Sequence, residues 1–443
     1  MKQLPATRLI EISENRWAYY ALAALLRLAL DLAYVHSVSW RAWQMGFPVD
    51  IGPDRYALSW ATYLACAALL PRSTLLPSNY ALGTLLFVFV APLCSLYGLT
   101  QVSTAHFFTM VAAYVIATLA AGTQQTWLPT FRRGPILAVA VCVAVTALTF
   151  AWMLHQVGVA TLNLDLRRIY ELRAQLDVMY QGPFAYLMVW TPKVFLTFLL
   201  CFALWRRNWP LAAAAIALEI AFFAFAQHRA ILVYPFAVLF IHWHMRHFRT
   251  VNLLPLALTG VIAASLLLFK ATGSWLMTSI LVRRAFFVPP RDAFLYFEYF
   301  AKQGHVYWSN SVLSRFLSYP FPEPPQKLIA AYQASEGWVN SGFIPTGYMH
   351  AGLAGVAFYA LALGLLLRLL NALSSRLPPW FTLAVAIAPL LSLLFSADLP
   401  TSLLTHGLGP ALVLLVLAGG APHSQHQQQA NPVHQEIVRR QQP

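Results

Sequence analysis

The chain has 443 residues, 59% of them hydrophobic and only 10% charged. A soluble domain carries about 25% charged residues, so this composition excludes a water-soluble globule and predicts a polytopic membrane protein. The net charge of +14, from 29 Lys and Arg against 15 Asp and Glu, falls on no soluble basic stretch that could grip a duplex, which excludes nucleic acid as a partner.

A helix needs roughly 20 predominantly apolar residues to cross a hydrocarbon core. By that measure spans are predicted at 17–36, 56–71, 80–99, 104–121, 135–157, 183–205, 210–226, 230–246, 251–271, 348–370, 379–396 and 401–419. The expected fold is therefore all-α, a membrane helix bundle of about 12 spans over residues 1–419. The first span reads as a retained helix, because it lacks a small-residue cleavage site and contains Arg27 and Asp31. Those two, four apart, predict a structural ion pair. Cys66, Cys94, Cys142 and Cys201 all fall inside apolar runs, which predicts neither a disulfide framework nor a CxxC zinc or redox motif.

Loop charges orient these spans. With Lys2, Arg8 and Arg16 inside, alternate loops hold Arg72, Arg132–Arg133, Arg206–Arg207, Arg246 with Arg249, Arg376 and Arg439–Arg440. Between the first and last spans these loops contain no acid, as cytoplasmic loops should. Both termini are predicted inside. The tail 420–443, Gln-rich with His423, His426 and His434, reads as disordered and cytoplasmic.

The opposite face is unusual. An outward loop at 158–182 carries Asp165, Arg167, Arg168, Glu171, Arg173 and Asp177. A longer one at 272–347, between the ninth and tenth spans, carries Arg283, Arg284, Arg291, Asp292, Glu298, Lys302, His305, Arg315, Lys327 and Glu336. Its aromatics and apolar spacing predict a lid with amphipathic helices near 291–303 and 309–319. Positive charge is not needed there for topology, so it implies an anionic, membrane-borne substrate such as a lipid pyrophosphate. Guanidinium binds phosphate bidentately and cannot deprotonate. The plainer alternative pairs these arginines with neighbouring acids or lipid headgroups.

The tight hairpin Gln227-His228-Arg229 places another Arg outward, and Glu219 is an acid inside a span, where ionisable groups are functional candidates. The candidate pyrophosphate ligands are thus Arg173, Arg229, Arg283, Arg284 and Arg291. The candidate bases are His305, Glu171 and His350, with His305 first. His242, His244 and His247 read as interfacial. No P-loop, GxGxxG, HExxH or DxD motif is present. No metal and no cofactor is therefore expected, and the substrate must arrive already activated.

In order along the chain come Tyr170-Glu171-Leu172-Arg173, Phe225-Ala226-Gln227-His228-Arg229, Tyr296 to Phe300, and His305-Val306-Tyr307-Trp308-Ser309-Asn310-Ser311. The stretch from Asn340-Ser341-Gly342 through Pro345 to His350 and Gly355 follows. This series, over roughly 165–370, resembles the Wzy-type O-antigen, or oligosaccharide repeat-unit, polymerases. Two departures stand out: Gln227-His228 replaces a small-residue pair, and His350 replaces an Asn- or Gln-like residue.

The resemblance implies a metal-independent glycosyltransferase of the bacterial inner membrane, with its active face periplasmic. Its substrates would be undecaprenyl-pyrophosphate-linked oligosaccharide repeat units. Membrane lipids and a chain-length regulator protein would be its partners. The alternatives are an O-antigen ligase transferring glycan to lipid A, and a transporter or flippase of lipid-linked oligosaccharide.

Overall fold

The structure is a computed structural model, and it describes residues 15–41, 46–122, 128–158, 162–164 and 179–420. Among the described residues it is helical throughout, with no strands. The first helices are α1 (Arg16–Ala33), α2 (Pro53–Leu69), α3 (Pro77–Leu99) and α4 (Thr104–Ala121). Next come α5 (Gly134–Val157), α6 (Phe184–Trp205), α7 (Trp209–Ala226) and α8 (Arg229–His247). The remainder are α9 (Leu253–Thr272), α10 (Val288–Gln303), α11 (Pro325–Tyr332), α12 (Phe343–Leu373), α13 (Pro379–Phe395), α14 (Leu399–Leu404) and α15 (Leu408–Ala418).

Eight of these are long and apolar enough to cross a membrane: α1 with its continuation to Val38, α3, α4, α5, α6, α7, α9 and α12. Helices α13 and α15 are apolar but shorter. The predicted span at 401–419 is not one helix. It divides into α14 and α15 around Thr405–Gly407, because Gly407 takes a left-handed conformation (φ +88°) that a continuing helix does not allow.

The chain forms two compact units. The first comprises Met1–Thr123, His247–Arg368 and Leu393–Leu399; the second comprises Gln124–Arg246, Leu369–Ser392 and Pro400–Pro443.

In the first unit α1 starts where the Asn15 side chain accepts the Trp17 backbone N–H. It buries Tyr19, Ala23, Leu26, Arg27 and Leu30, a stripe at helical spacing. The expected ion pair is present: Arg27 Nε lies 3.4 Å from Asp31 Oδ1. Its guanidinium also donates to Ser59 Oγ (2.9 Å), Ser95 Oγ and the Cys94 carbonyl (both 3.1 Å). A charge with that many acceptors tolerates full burial. Ser103 caps α4.

The 272–347 segment is a folded body, not an open loop. A π-helical stretch, Ser279–Phe287, leads directly into α10, whose first turn holds Pro289 and Pro290. Tyr296, Phe300, Val306, Ile329, Ala330, Val339 and Met349 form its core, with Tyr299, Tyr319, Phe321 and Tyr348 packed around them. The helix expected near 291–303 corresponds to α10, but that expected at 309–319 is absent; tight turns run through 307–316. Tyr307 and Trp308 sit at positive φ there, which breaks the helical path before it begins.

In the second unit α7 is capped by Asn208 and ends at Gln227, in the left-handed region (φ 56°). The buried Gln227 amide donates to the carbonyls of Ala224 (2.6 Å) and Asn163 (2.7 Å). In the hairpin, Gln227 thus closes the helix end.

Candidate functional site

The site is assembled around a break in α12. Ala351 and Gly352 leave helical geometry, Gly352 at φ +60° and ψ −139°. The break turns the preceding residue, His350, into a fully enclosed environment. Its Nε2 lies 2.9 Å from Asp398 Oδ2, and its Nδ1 accepts the backbone N–H of Trp308 at 3.1 Å. Because Nδ1 is an acceptor, the ring proton resides on Nε2 and is donated to Asp398. The Trp308 indole stacks on the ring (centroids 4.9 Å, planes 12° apart) and donates to the Tyr359 hydroxyl at 2.7 Å. That hydroxyl hydrogen-bonds Asp398, whose other oxygen accepts the Leu399 N–H. Backbone pairs Val306–Met349 and Tyr307–His350 fasten the 306–308 turn to α12.

His305 stands across the break. A Cβ on Gly352 would lie 2.9 Å from its Nε2, so only glycine leaves the ring this close. His305 is half-buried, and its Nδ1 is buried with no hydrogen-bond partner among the described residues. Its ring packs edge-on to Tyr348 (5.6 Å), which stacks on Phe297 (4.1 Å). His106, near the start of α4, packs against both Phe297 (5.2 Å) and Tyr348 (6.1 Å), and its buried Nδ1 has no hydrogen-bond partner among the described residues.

A cationic group lies on the same segment. Arg291 is held against Asp292 through Nη2 (2.7 Å) and Nε (3.1 Å) and lies over the Phe47 ring. Arg283 packs over Trp275 and donates to Ser279 Oγ at 3.4 Å. Burial, then the positive charges of Arg291 and Arg284, lower the Arg283 guanidinium pKa. Burial pushes the Asp292 carboxyl up, and Arg291 and Arg283 pull it back. The Asp292 carboxylate pairs with Arg291 and feels Arg283, and Arg284 adds a further positive charge next to Arg283.

Tyr296 is buried on the same helix as Asp292. It lies one turn along α10 from Asp292, donates to the Val339 carbonyl at 2.8 Å, and feels the charges of both Asp292 and Asp398. Burial first, then those carboxylates, push its hydroxyl pKa up.

The structure therefore brings Arg283, Arg284, Arg291, His305 and His350 into one unit. Arg229 is exposed at the start of α8 in the second unit. Glu171 and Arg173 lie outside the described residues. His350 has no ring nitrogen left to take up a proton, which gives it the task of holding the turn and the break together. Asp398, Tyr359, Tyr348 and His106 were not singled out in the sequence, since nothing in linear spacing connects Asp398 to His350. Among the described residues no group of three or more His, Cys, Asp or Glu could hold a metal ion.

No protein-family model, no curated protein and no solved structure matches this chain.

Proposed function

We propose that the protein is a membrane glycosyltransferase that polymerises oligosaccharide repeat units carried on undecaprenyl pyrophosphate, at the periplasmic face of a bacterial inner membrane. The observation that carries this reading is that one compact unit holds both an arginine group and, beside a helix break, a histidine whose buried Nδ1 has no partner among the described residues. In the proposed step a hydroxyl of the acceptor sugar attacks the anomeric carbon of the donor glycan. The bond from that carbon to the pyrophosphate oxygen breaks, and the lipid pyrophosphate leaves with the electron pair. His305 takes the hydroxyl proton. Arg283, Arg284 and Arg291 meet the charge growing on the leaving group, a preorganised electrostatic role.

A second feature supports a lipid-borne donor. Between α4 and the second half of α12 runs an open apolar groove of about 350 Å³, lined by Ala105, Phe108, Ala112, Leu353 and Val356. Ala105 adjoins His106 and Leu353 adjoins Gly352 in sequence, so an isoprenoid chain in the groove would put its pyrophosphate near the break.

The rival reading is a transporter of the same lipid-linked units. Its supporting observation is the interrupted helices, at Ala351–Gly352 in α12 and Thr405–Gly407 between α14 and α15, since broken helices mark transport sites. Gel separation of the surface glycan from source cells lacking the chain distinguishes the readings. A ladder capped at one repeat unit per acceptor is expected for a polymerase. Complete loss of the glycan, with lipid-linked material accumulating, would overturn it in favour of a transporter or ligase.

A further inference from the structure

The second unit contains a lysine with no carboxylate partner among the described residues. Lys193 lies near the middle of the 22-residue span α6, inside a π-helical stretch, Thr191–Leu196, whose second residue is Pro192. Its Nζ meets Ser392 Oγ at 3.2 Å and His406 Nδ1 at 3.0 Å. Those are its polar contacts among the described residues, none of which brings a carboxylate to Lys193 or His406. An ammonium has three N–H groups, so one remains without an acceptor.

The surrounding backbone is built to make this meeting possible. The α14–α15 break brings His406 to α6: the Trp190 indole donates to the carbonyls of Leu404 (2.8 Å) and Thr405 (3.1 Å). A Cβ at Gly407 would stand 2.7 Å from Val194, so a side chain there would push the break away. Ser392 sits three residues after Pro389, a proline inside α13, and its hydroxyl donates to the Ala388 carbonyl at 3.2 Å. Ser402 Oγ in α14 is buried without a hydrogen-bond partner among the described residues. Irregular backbone at membrane depth persists only where it is buried in protein or lines a hydrated cavity. Lys193 and His406 are both half-buried, so neither is sealed inside the bundle.

We propose that Lys193, His406 and Ser392 form a binding site for a small monovalent inorganic anion, with chloride as the probe. One ammonium with no carboxylate calls for one negative charge, and a lone charge in an apolar bundle is costly. A lipid headgroup does not fit, since the middle of a roughly 30 Å hydrocarbon core is about 15 Å from either interface. The site belongs to the second unit and does not rest on the glycosyl-transfer reading.

The test uses the full-length protein in nanodiscs of neutral lipid, with chloride replacing gluconate at constant ionic strength. Thermal unfolding and the ³⁵Cl line width are read together. The expected result is a saturable rise in the midpoint with saturable line broadening, both absent in Lys193→Met. In His406→Gln the half-saturating chloride concentration rises about tenfold, the worth of one charge-assisted hydrogen bond. An equal chloride response in Lys193→Met and wild type, or no saturable response in wild type, overturns the proposal. If Lys193→Met does not insert, His406→Gln decides: a half-saturation unchanged from wild type overturns it.

Discussion

His350 and Asp398, 48 residues apart in sequence, meet at 2.9 Å with the other nitrogen of the same imidazole already occupied by the Trp308 backbone. The ring is thus a three-way joint between α12, the 306–308 turn and the start of α14. His350→Ala should therefore act first on stability, leaving Asp398 without its buried partner at a cost of about 3–5 kcal/mol. Asp398→Asn, whose amide oxygen can still accept the Nε2 proton, should cost much less. Thermal unfolding of both variants checks this. A His350→Ala protein as stable as wild type but inactive would make His350 a proton carrier instead.

Gly352 occupies a conformation that side-chain-bearing residues rarely adopt, with His305 Nε2 where a Cβ would point. Gly352→Ala should cost about 1–3 kcal/mol in backbone strain and displace His305. A lowered midpoint with shortened surface glycan is expected. A normal midpoint and normal glycan would show that the break tolerates a side chain.

Removing one preorganised donor from a site of this kind costs roughly two decades of rate. Arg283→Gln, Arg291→Gln and His305→Ala should each collapse long glycan to short forms while the protein remains inserted. Arg315→Gln, an exposed charge on the turn beyond His305, should leave the length distribution unchanged. Full-length glycan in all three site variants would remove the basis for the proposed function.

Tyr319 gives a pH handle. Burial, then the neighbouring Tyr299, push its hydroxyl from 10.0 to about 12, and it donates to the Glu323 carbonyl at 2.8 Å. The unfolded chain releases this proton near pH 10 while the folded chain keeps it. Its contribution to stability is thus complete below pH 10 and is lost as pH rises from 10 to about 12. Tyr319→Phe should lack that loss, so its midpoint should fall less than that of wild type between pH 10 and 12. Parallel midpoints would refute the assignment.

Gln227 ties off α7 with two buried amide hydrogen bonds from a left-handed backbone. Gln227→Ala should lose about 1–3 kcal/mol for the carbonyls left unsatisfied, with the unfavourable φ added. Gln227→Gly should be milder, since it relieves the backbone. The order of the two thermal midpoints is the check.

Much of the helical frame is present in the sequence because membrane helices are encoded locally. An apolar run of sufficient length closes its own backbone hydrogen bonds, and no other part of the chain need be known. Arg27 and Asp31 were legible for the same reason, four residues being one helical turn. The helix forecast at 309–319 failed because Tyr307 and Trp308 are held at positive φ by their pairing with α12, a tertiary constraint that apolar spacing does not reveal. The basic residues of the 272–347 segment could be named as candidates, but the spacing of Arg283 and Arg291 does not state that both act on Asp292.

The sequence by itself determined that the chain is all-helical and apolar, where most of its long helices run, and which charged residues depart from the loop pattern. Only the tertiary structure decided that His350 is pinned at both nitrogens while His305 keeps one unpartnered, that Asp398 is the acid that matters to the break, and that Lys193 meets His406. Those relationships join residues from 42 to 213 positions apart. No local propensity acts over such distances, and burial together with hydrogen-bond satisfaction in the packed bundle selects them.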